Sequence, residues 1–238
     1  MGNTYFKFKQ FTIHQERSAM KVTTDACLFG AWVASQLEDV QGKKLLDIGA
    51  GTGLISLMIA QKYNCKIDAV EIDAAAALEA KKNIDETIWM DRIELHHQNI
   101  LQFHHEYCYN FIVSNPPFYE NELQSGRDEK DKAHHSKELK LVDVFQYIKK
   151  NLEPTGLFFL LLPYKRKNEI ISQLAAAELF MHRCINIHHS NKHQPTRILV
   201  KGGHQYQEIV QEDFYIRKED GSYTEAFKAL LRDYYLEL

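Results

Sequence analysis

Residues 43–53 read "KKLLDIGAGTG": a short apolar run interrupted by one acid, then glycine at every second position. The run has the length of a buried strand, the glycines end it, and "LISLMIAQKY" at 54–63 continues as a helix. Glycine allows a sharp turn and close approach of a ligand to the backbone, and the start of the next helix offers unpaired N–H groups. Such a unit suits either a dinucleotide phosphate or an uncharged adenosyl cofactor with an amino-acid tail. A dinucleotide fingerprint needs G-x-G-x-x-G, and Leu54 stands where its last glycine belongs. Asp47, at the strand end, would repel a pyrophosphate but can accept hydrogen bonds from an α-amino group. The cofactor-contact candidates are therefore Asp47, Gly49, Gly51 and Gly53. Glu71, ending the next strand "KIDAVEID" at 66–73, is placed to clamp two ribose hydroxyls.

Outward from this turn, strands alternate with helices. "ACLFGAWVASQL" (26–37) has helical apolar spacing, and "AAAALEAKKNIDET" is an Ala-rich helix. "RIELHHQNI" and "YNFIVS" read as the third and fourth strands, "LVDVFQYIKKNL" as a helix, "PTG" as a turn and "GLFFLLLP" (156–163) as a buried strand. "KNEIISQLAAAELF" follows as a helix, "MHRCINIHHS" and "TRILVKGGH" as two late strands, and "YTEAFKALLRDYYLEL" as an amphipathic helix. This order predicts an α/β fold, a mostly parallel sheet with helices on both faces and the late strands pairing antiparallel at one edge. One domain over 1–238 is expected, with 1–42 covering cofactor and substrate and 43–238 forming the core.

The chain has 238 residues, 45% apolar and 26% charged, with a formal charge of −3, so it is globular and lacks the overall basicity of a strong nucleic-acid binder. No run is long enough for a membrane span, and "MGNTYFKFKQ" has no secretory apolar core. The four cysteines form no C-x-x-C, which speaks against a zinc site or disulfides and for a reducing, cytoplasmic setting. The pairs His104–His105, His134–His135 and His188–His189 read as surface or loop residues, since neighbours in a strand point to opposite faces. No metal is expected.

Asn115, Pro116, Pro117 and Phe118 ("NPPF") close the fourth strand. An exocyclic amine is a poor nucleophile because its lone pair is delocalised into the ring. Two acceptors taking its two protons favour a tetrahedral nitrogen with the lone pair free. The Asn115 side-chain oxygen and the Pro116 carbonyl can be those acceptors, the prolines holding the turn rigid, and the Phe118 ring can stack on an extruded base. Such a transfer needs neither metal nor covalent nucleophile. These residues leave the acceptor open: a base amine or a glutamine amide would both fit.

The glycine turn resembles motif I of the S-adenosylmethionine-dependent methyltransferases, "VEID" resembles their motif II, and "NPPF" resembles the [DNS]-P-P-[YFW] motif of those acting on adenine N6, cytosine N4 or protein glutamine. The resemblance implies a Rossmann-like class I methyltransferase with a seven-stranded sheet, an antiparallel edge strand and S-adenosylmethionine as cofactor. It also implies that Asn99, in "QNI", meets the adenine ring and that Asn115 borders the cofactor. The stretch "FKFKQFTIHQERSAMKVTTDACLFGAW" (6–32) closely resembles the opening of the bacterial tRNA1(Val) adenine-37 N6-methyltransferases. In that family "MKV-x-TD" closes over the cofactor, which carries over to Lys21, Thr24 and Asp25; Thr23 and Ala26 stand where glycines are expected, and Asn110 where an "FD" is usual. About 42 residues precede the glycine turn, too few for the extra domain usual in glutamine methyltransferases. The implied partner is tRNA, met by a monomer without membrane attachment. Candidate RNA-contacting cations are Lys7, Lys9, Arg17 and Lys21; Lys165, Arg166 and Lys167; and Lys192 with Arg197. The polar stretch 119–140 is expected to be a mobile substrate lid.

Overall fold

The computed structural model describes residues 3–18, 20–116 and 139–238. The expected lid, apart from Leu139 and Lys140, lies outside the described residues, as do Pro117 and Phe118. A short hairpin, β1 (Tyr5–Lys7) and β2 (Thr12–His14), precedes helix α1 (Thr24–Gln36). The core then runs β3 (Lys44–Ile48), α2 (Leu54–Lys62), β4 (Lys66–Glu71), α3 (Ala74–Asp85), β5 (Ile93–His97), β6 (Tyr109–Ser114), α4 (Leu141–Asn151), β7 (Leu152–Pro163), α5 (Lys167–Ala176), β8 (Phe180–His188), β9 (Arg197–Gly203), β10 (Val210–Tyr215) and α6 (Glu225–Leu231).

One sheet carries these strands in the order β10-β8-β9-β7-β6-β3-β4-β5. All its pairings are parallel except those of β9, which is antiparallel to both neighbours. The class is the expected one. Two details correct the expectation: there are eight strands rather than seven, and the antiparallel strand β9 is not at the edge, since β8 pairs outside it and β10 outside β8.

Side-chain alternation divides the core in two, because successive strand residues point to opposite faces. Leu45, Ile67, Phe111, Val113, Phe159 and Leu161 pack with α1, α2 and α6, while Leu46, Val70, Ile112, Phe158 and Leu160 pack with α4 and α5. Helix α1 is buried continuously from Ala26 to Ala34 between the sheet and its neighbouring helices. Gly30 permits its close approach to α2, since a Cβ there would lie 2.7 Å from the Met58 sulfur. Thr23, where a glycine was expected, has extended backbone (φ −117°) and caps α1 by accepting the Ala26 N–H. Asn110, a further departure, accepts the Lys44 N–H at 3.0 Å and ties β6 to β3. The expected "PTG" turn is absorbed into β7, whose register against β6 shifts between Tyr109 and Phe111. No helix among the described residues is long and apolar enough to cross a membrane.

A Cβ at Gly202 of β9 would lie 2.3 Å from both the Phe158 ring and the Phe180 carbonyl oxygen. Because one of these is backbone, Gly202→Ala should cost about 1–3 kcal/mol, read as a lower urea midpoint at unchanged m-value. An unshifted midpoint would show that the β7–β9–β8 packing is looser than described.

Candidate active site

The strand order places the ends of four neighbours, β5, β4, β3 and β6, along one rim. After β3 the chain moves to β4, on one side, and later to β6, on the other. The crevice between such strands at their C-terminal ends is where α/β sheets bind ligands. Asp47 and the glycine turn end β3, Glu71 ends β4, Asn99 follows β5, and Asn115 with Pro116 follows β6. The structure thus gathers residues up to 69 positions apart, the separation of Asp47 from Pro116. Ser114 fixes the last of them by donating to the Ile48 carbonyl at 2.7 Å, across the switch point. Asn115 is half-buried and Pro116 buried.

Gly49, Gly51 and Gly53 have φ of 72°, 57° and 81°, the left-handed region that side chains disfavour. A Cβ at Gly49 or Gly51 would meet nothing within 4 Å, so the turn lies against open space. Asp47 has no exposed surface. Alternation points it toward α2, where the Ser56 hydroxyl donates to Oδ2 at 2.6 Å. Its Oδ1 is buried and has no partner among the described residues. Burial pushes its carboxyl up to about 6, with the Ser56 hydroxyl and amide pulling the other way. A buried carboxylate oxygen with nothing donating to it calls for a cation or donor. Glu71 is held by two backbone amides, Gly51 N–H to Oε2 at 2.8 Å and Asp73 N–H to Oε1 at 2.7 Å. Each oxygen retains acceptor capacity. Asn99 is half-buried and accepts the Leu101 N–H at 2.9 Å, leaving its amide group to face a ligand. These donors and acceptors fit an adenosyl amino-acid cofactor: an acceptor for the ammonium, a carboxylate for the ribose and glycines that keep the turn bare.

The N-terminal candidates are placed less directly. Lys21 turns its ammonium to the Gln15 and Glu16 carbonyls, closing its own segment. Thr24 is exposed at the first turn of α1. Asp25 is half-buried there; burial raises its carboxyl and the Arg197 and His189 charges oppose the rise.

Sequence reasoning missed the side chains that attach this segment to the cofactor turn. Glu79 accepts the Arg17 and Ser18 N–H groups at 2.5 and 2.7 Å. Asn83 accepts the His14 N–H at 2.8 Å and donates to the His14 and Thr52 carbonyls at 3.0 and 2.9 Å. They stand four apart on α3, on the face toward the core, where one helix face repeats. Polar residues at that spacing in an Ala-rich helix were the available signal. Ile72, directly after Glu71, is 50% exposed at the same rim. For a metal, Asp68, Glu94 and His96 could offer three ligand atoms, but Asp68 already accepts the Tyr107 and Tyr109 hydroxyls.

Residues 30–136 match the Methyltransferase small domain family. A tRNA1(Val) (adenine(37)-N6)-methyltransferase of Dyadobacter fermentans is 39% identical, covering 99% of this chain and 98% of its own. Its counterpart in Phocaeicola vulgatus is 36% identical over all of both chains. Among solved structures, a predicted O-methyltransferase of Agrobacterium tumefaciens superposes with TM-score 0.65 at 15% identity, covering 86% of this chain and 95% of its own. The glycopeptide N-methyltransferase MtfA does so with TM-score 0.57 at 14% identity, over 76% and 95%. At those identities the likeness concerns the fold.

Asn83→Ala removes three hydrogen bonds at a site with no exposed surface and leaves one amide and two carbonyls without that partner. It should destabilise the protein by about 2–4 kcal/mol and speed proteolytic nicking between 14 and 22. Unfolding within about 0.5 kcal/mol of the parent would mean that Asn83 does not staple the segment.

Proposed function

The chain belongs to the tRNA1(Val) (adenine(37)-N6)-methyltransferase family, and we propose that it methylates N6 of adenine 37 in the anticodon loop of tRNA1(Val), using S-adenosylmethionine. The observation that carries this reading is the seating of Asn115 and Pro116 beside the glycine turn, in a chain alike over its full length to enzymes of that name.

S-adenosylmethionine, once bound, supplies an electrophilic methyl group. The chain's residues do the rest by position. Asp47 Oδ1 accepts from the cofactor's α-ammonium, and Glu71 accepts from its ribose hydroxyls. Gly49 and Gly51 let the cofactor lie on bare backbone, while Asn99 and the half-exposed Ile72 border its adenine. Lys21, Thr24 and Asp25 belong to the segment that Glu79 and Asn83 hold over the turn. The Asn115 side-chain oxygen and the Pro116 carbonyl would take the two N6 protons of the target adenine, freeing its lone pair to receive the methyl group. Pro117 stiffens the turn and Phe118 stacks on the flipped base, roles that rest on the motif alone. The proton released from N6 after transfer leaves to solvent, since neither acceptor is a base. The reading takes 1–238 as one catalytic domain acting as a monomer in the cytoplasm, without a metal ion.

Incubation with unmodified tRNA and labelled cofactor, followed by nucleoside analysis, should return N6-methyladenosine. An unlabelled tRNA pool would refute the proposal. Asn115→Ala should lower turnover by at least about a hundredfold, the scale on which one preorganised acceptor acts, with cofactor affinity changed less than a few-fold. Lost cofactor binding would place Asn115 in the cofactor site and not at the amine.

A further inference from the structure

We infer that the turn after β7 and the β8–β9 loop form the surface that grips the anticodon stem-loop, Lys165, Lys192 and Arg197 taking phosphates and His189 and His193 offering ring faces to unpaired bases. This rests on the function proposed above and adds the residues that would carry RNA recognition.

The topology puts these residues where the substrate must lie. Because β9 runs against its neighbours, its first residue is at the end of the sheet where β6 and β7 finish. Arg197 pairs with Pro163 on one side and Ile187 on the other, and Ser114 pairs with Leu160. With strands about 4.8 Å apart, β9 stands roughly 10 Å across from β6 and its Asn115. The Tyr164 N–H bonds the Thr196 carbonyl at 3.1 Å, joining the turn and the loop into one ledge. Arg197 and His189 both act on Asp25 at the start of α1, which sets the cofactor-covering segment beside that ledge.

The charges on the ledge are unevenly committed. Arg166 is forked onto Glu169 at 2.8 and 2.6 Å, and Lys167 points at the amide oxygens of Asn186 and Gln211. Nearby Asp213 is engaged by Asn186 and His188, and Glu219 by Asn191. Lys165, Lys192 and Arg197 have no carboxylate within 4.0 Å among the described residues; Arg197 donates to the Thr196 carbonyl at 3.2 Å. On a chain of net charge −3, Lys165, Lys192 and Arg197 are thus cations without a close carboxylate near Asn115, available to phosphate, with Asp25 within Coulombic reach of Arg197. His189 and His193 are exposed, with rings 5.2 Å apart at 87°, so each can offer a separate stacking face.

Lys9 and, two residues before it, Lys7 do not share this edge. Lys9 donates to the Arg232 carbonyl, and its own amide bonds the Tyr234 carbonyl. That C-terminal tail also meets Lys62, at the end of α2 opposite the glycine turn. Lys7 and Lys9 therefore sit by the far end of the sheet.

The test measures KM for unmodified tRNA1(Val) against salt in the full-length enzyme, with cofactor affinity measured alongside. K165A/K192A/R197A should raise KM about tenfold or more and lower the slope of log KM on log salt by about 2, with three phosphate contacts gone. Cofactor affinity and kcat should stay within about twofold. H189A/H193A should raise KM with the slope unchanged, as loss of stacking does. K7A/K66A, two exposed cations at the other end, should match the wild type. A triple variant with wild-type KM and slope, or an equal loss in K7A/K66A, overturns this inference alone. A wild-type enzyme that neither binds nor methylates tRNA overturns the proposed function and this inference with it.

Discussion

A carboxylate with no exposed surface, Asp47, sits at the end of the central strand with one oxygen bonded to Ser56 and the other without a partner among the described residues. Burying a carboxylate is costly unless it is paired, and here burial pushes the carboxyl up to about 6. Near neutral pH the group is nevertheless mostly ionised, so the free protein carries an unfavourable charge in its core. For stability the sign is clear. A group whose pKa rises on folding stabilises most below its unfolded value of 3.8, and that contribution is lost as pH climbs through about 6. The glycine turn, the start of α2 and Glu71 are arranged around this acid, and a ligand that brings a cation to Oδ1 relieves the strain on all of them.

Several tethers make the rest of the site follow from that point. Ser114 fastens the end of β6 to Ile48, one residue after Asp47, so Asn115 and Pro116 cannot drift from the glycine turn. Glu71 reaches back to the Gly51 amide and ties the end of β4 to the same loop. Asn83 bonds Thr52 within the turn and His14 in the N-terminal segment, so the cover is held by the helix that packs beside the turn. The rim is thus preorganised by short polar links between elements distant in sequence, as positional catalysis requires.

The parts legible in the sequence are those with a local signal. Short continuous apolar runs reveal β3, β6 and β7, which are buried on both faces, and the spaced glycines with Asp47 and Glu71 mark the turn between β3 and α2. What escaped has physical causes. The strand β10, "VQEDFY", is exposed at five of six positions and has no apolar face to betray it. The hairpin strands are three residues each, too short to show alternation. The "PTG" turn became a bulge because β7 continues its pairing with β6 on both sides of it. Glu79 and Asn83 escaped because their partners are backbone groups some 30 to 70 positions away; their spacing on an Ala-rich helix marks them as a pair without saying what they hold. The cation clusters looked equivalent along the chain; only the antiparallel course of β9 separates Arg197 from Lys7 and Lys9.

The measurement that reaches the centre of this account is the proton balance of cofactor binding, read by titration calorimetry in buffers of different ionisation enthalpy. If the cofactor's ammonium pairs with Asp47, binding pulls that carboxyl back down and should expel about half a proton at pH 6, falling toward zero at pH 7. Asp47→Asn should abolish the release. Binding that moves no proton at pH 6, or a release that persists in Asp47→Asn, would contradict the pairing on which the site is built.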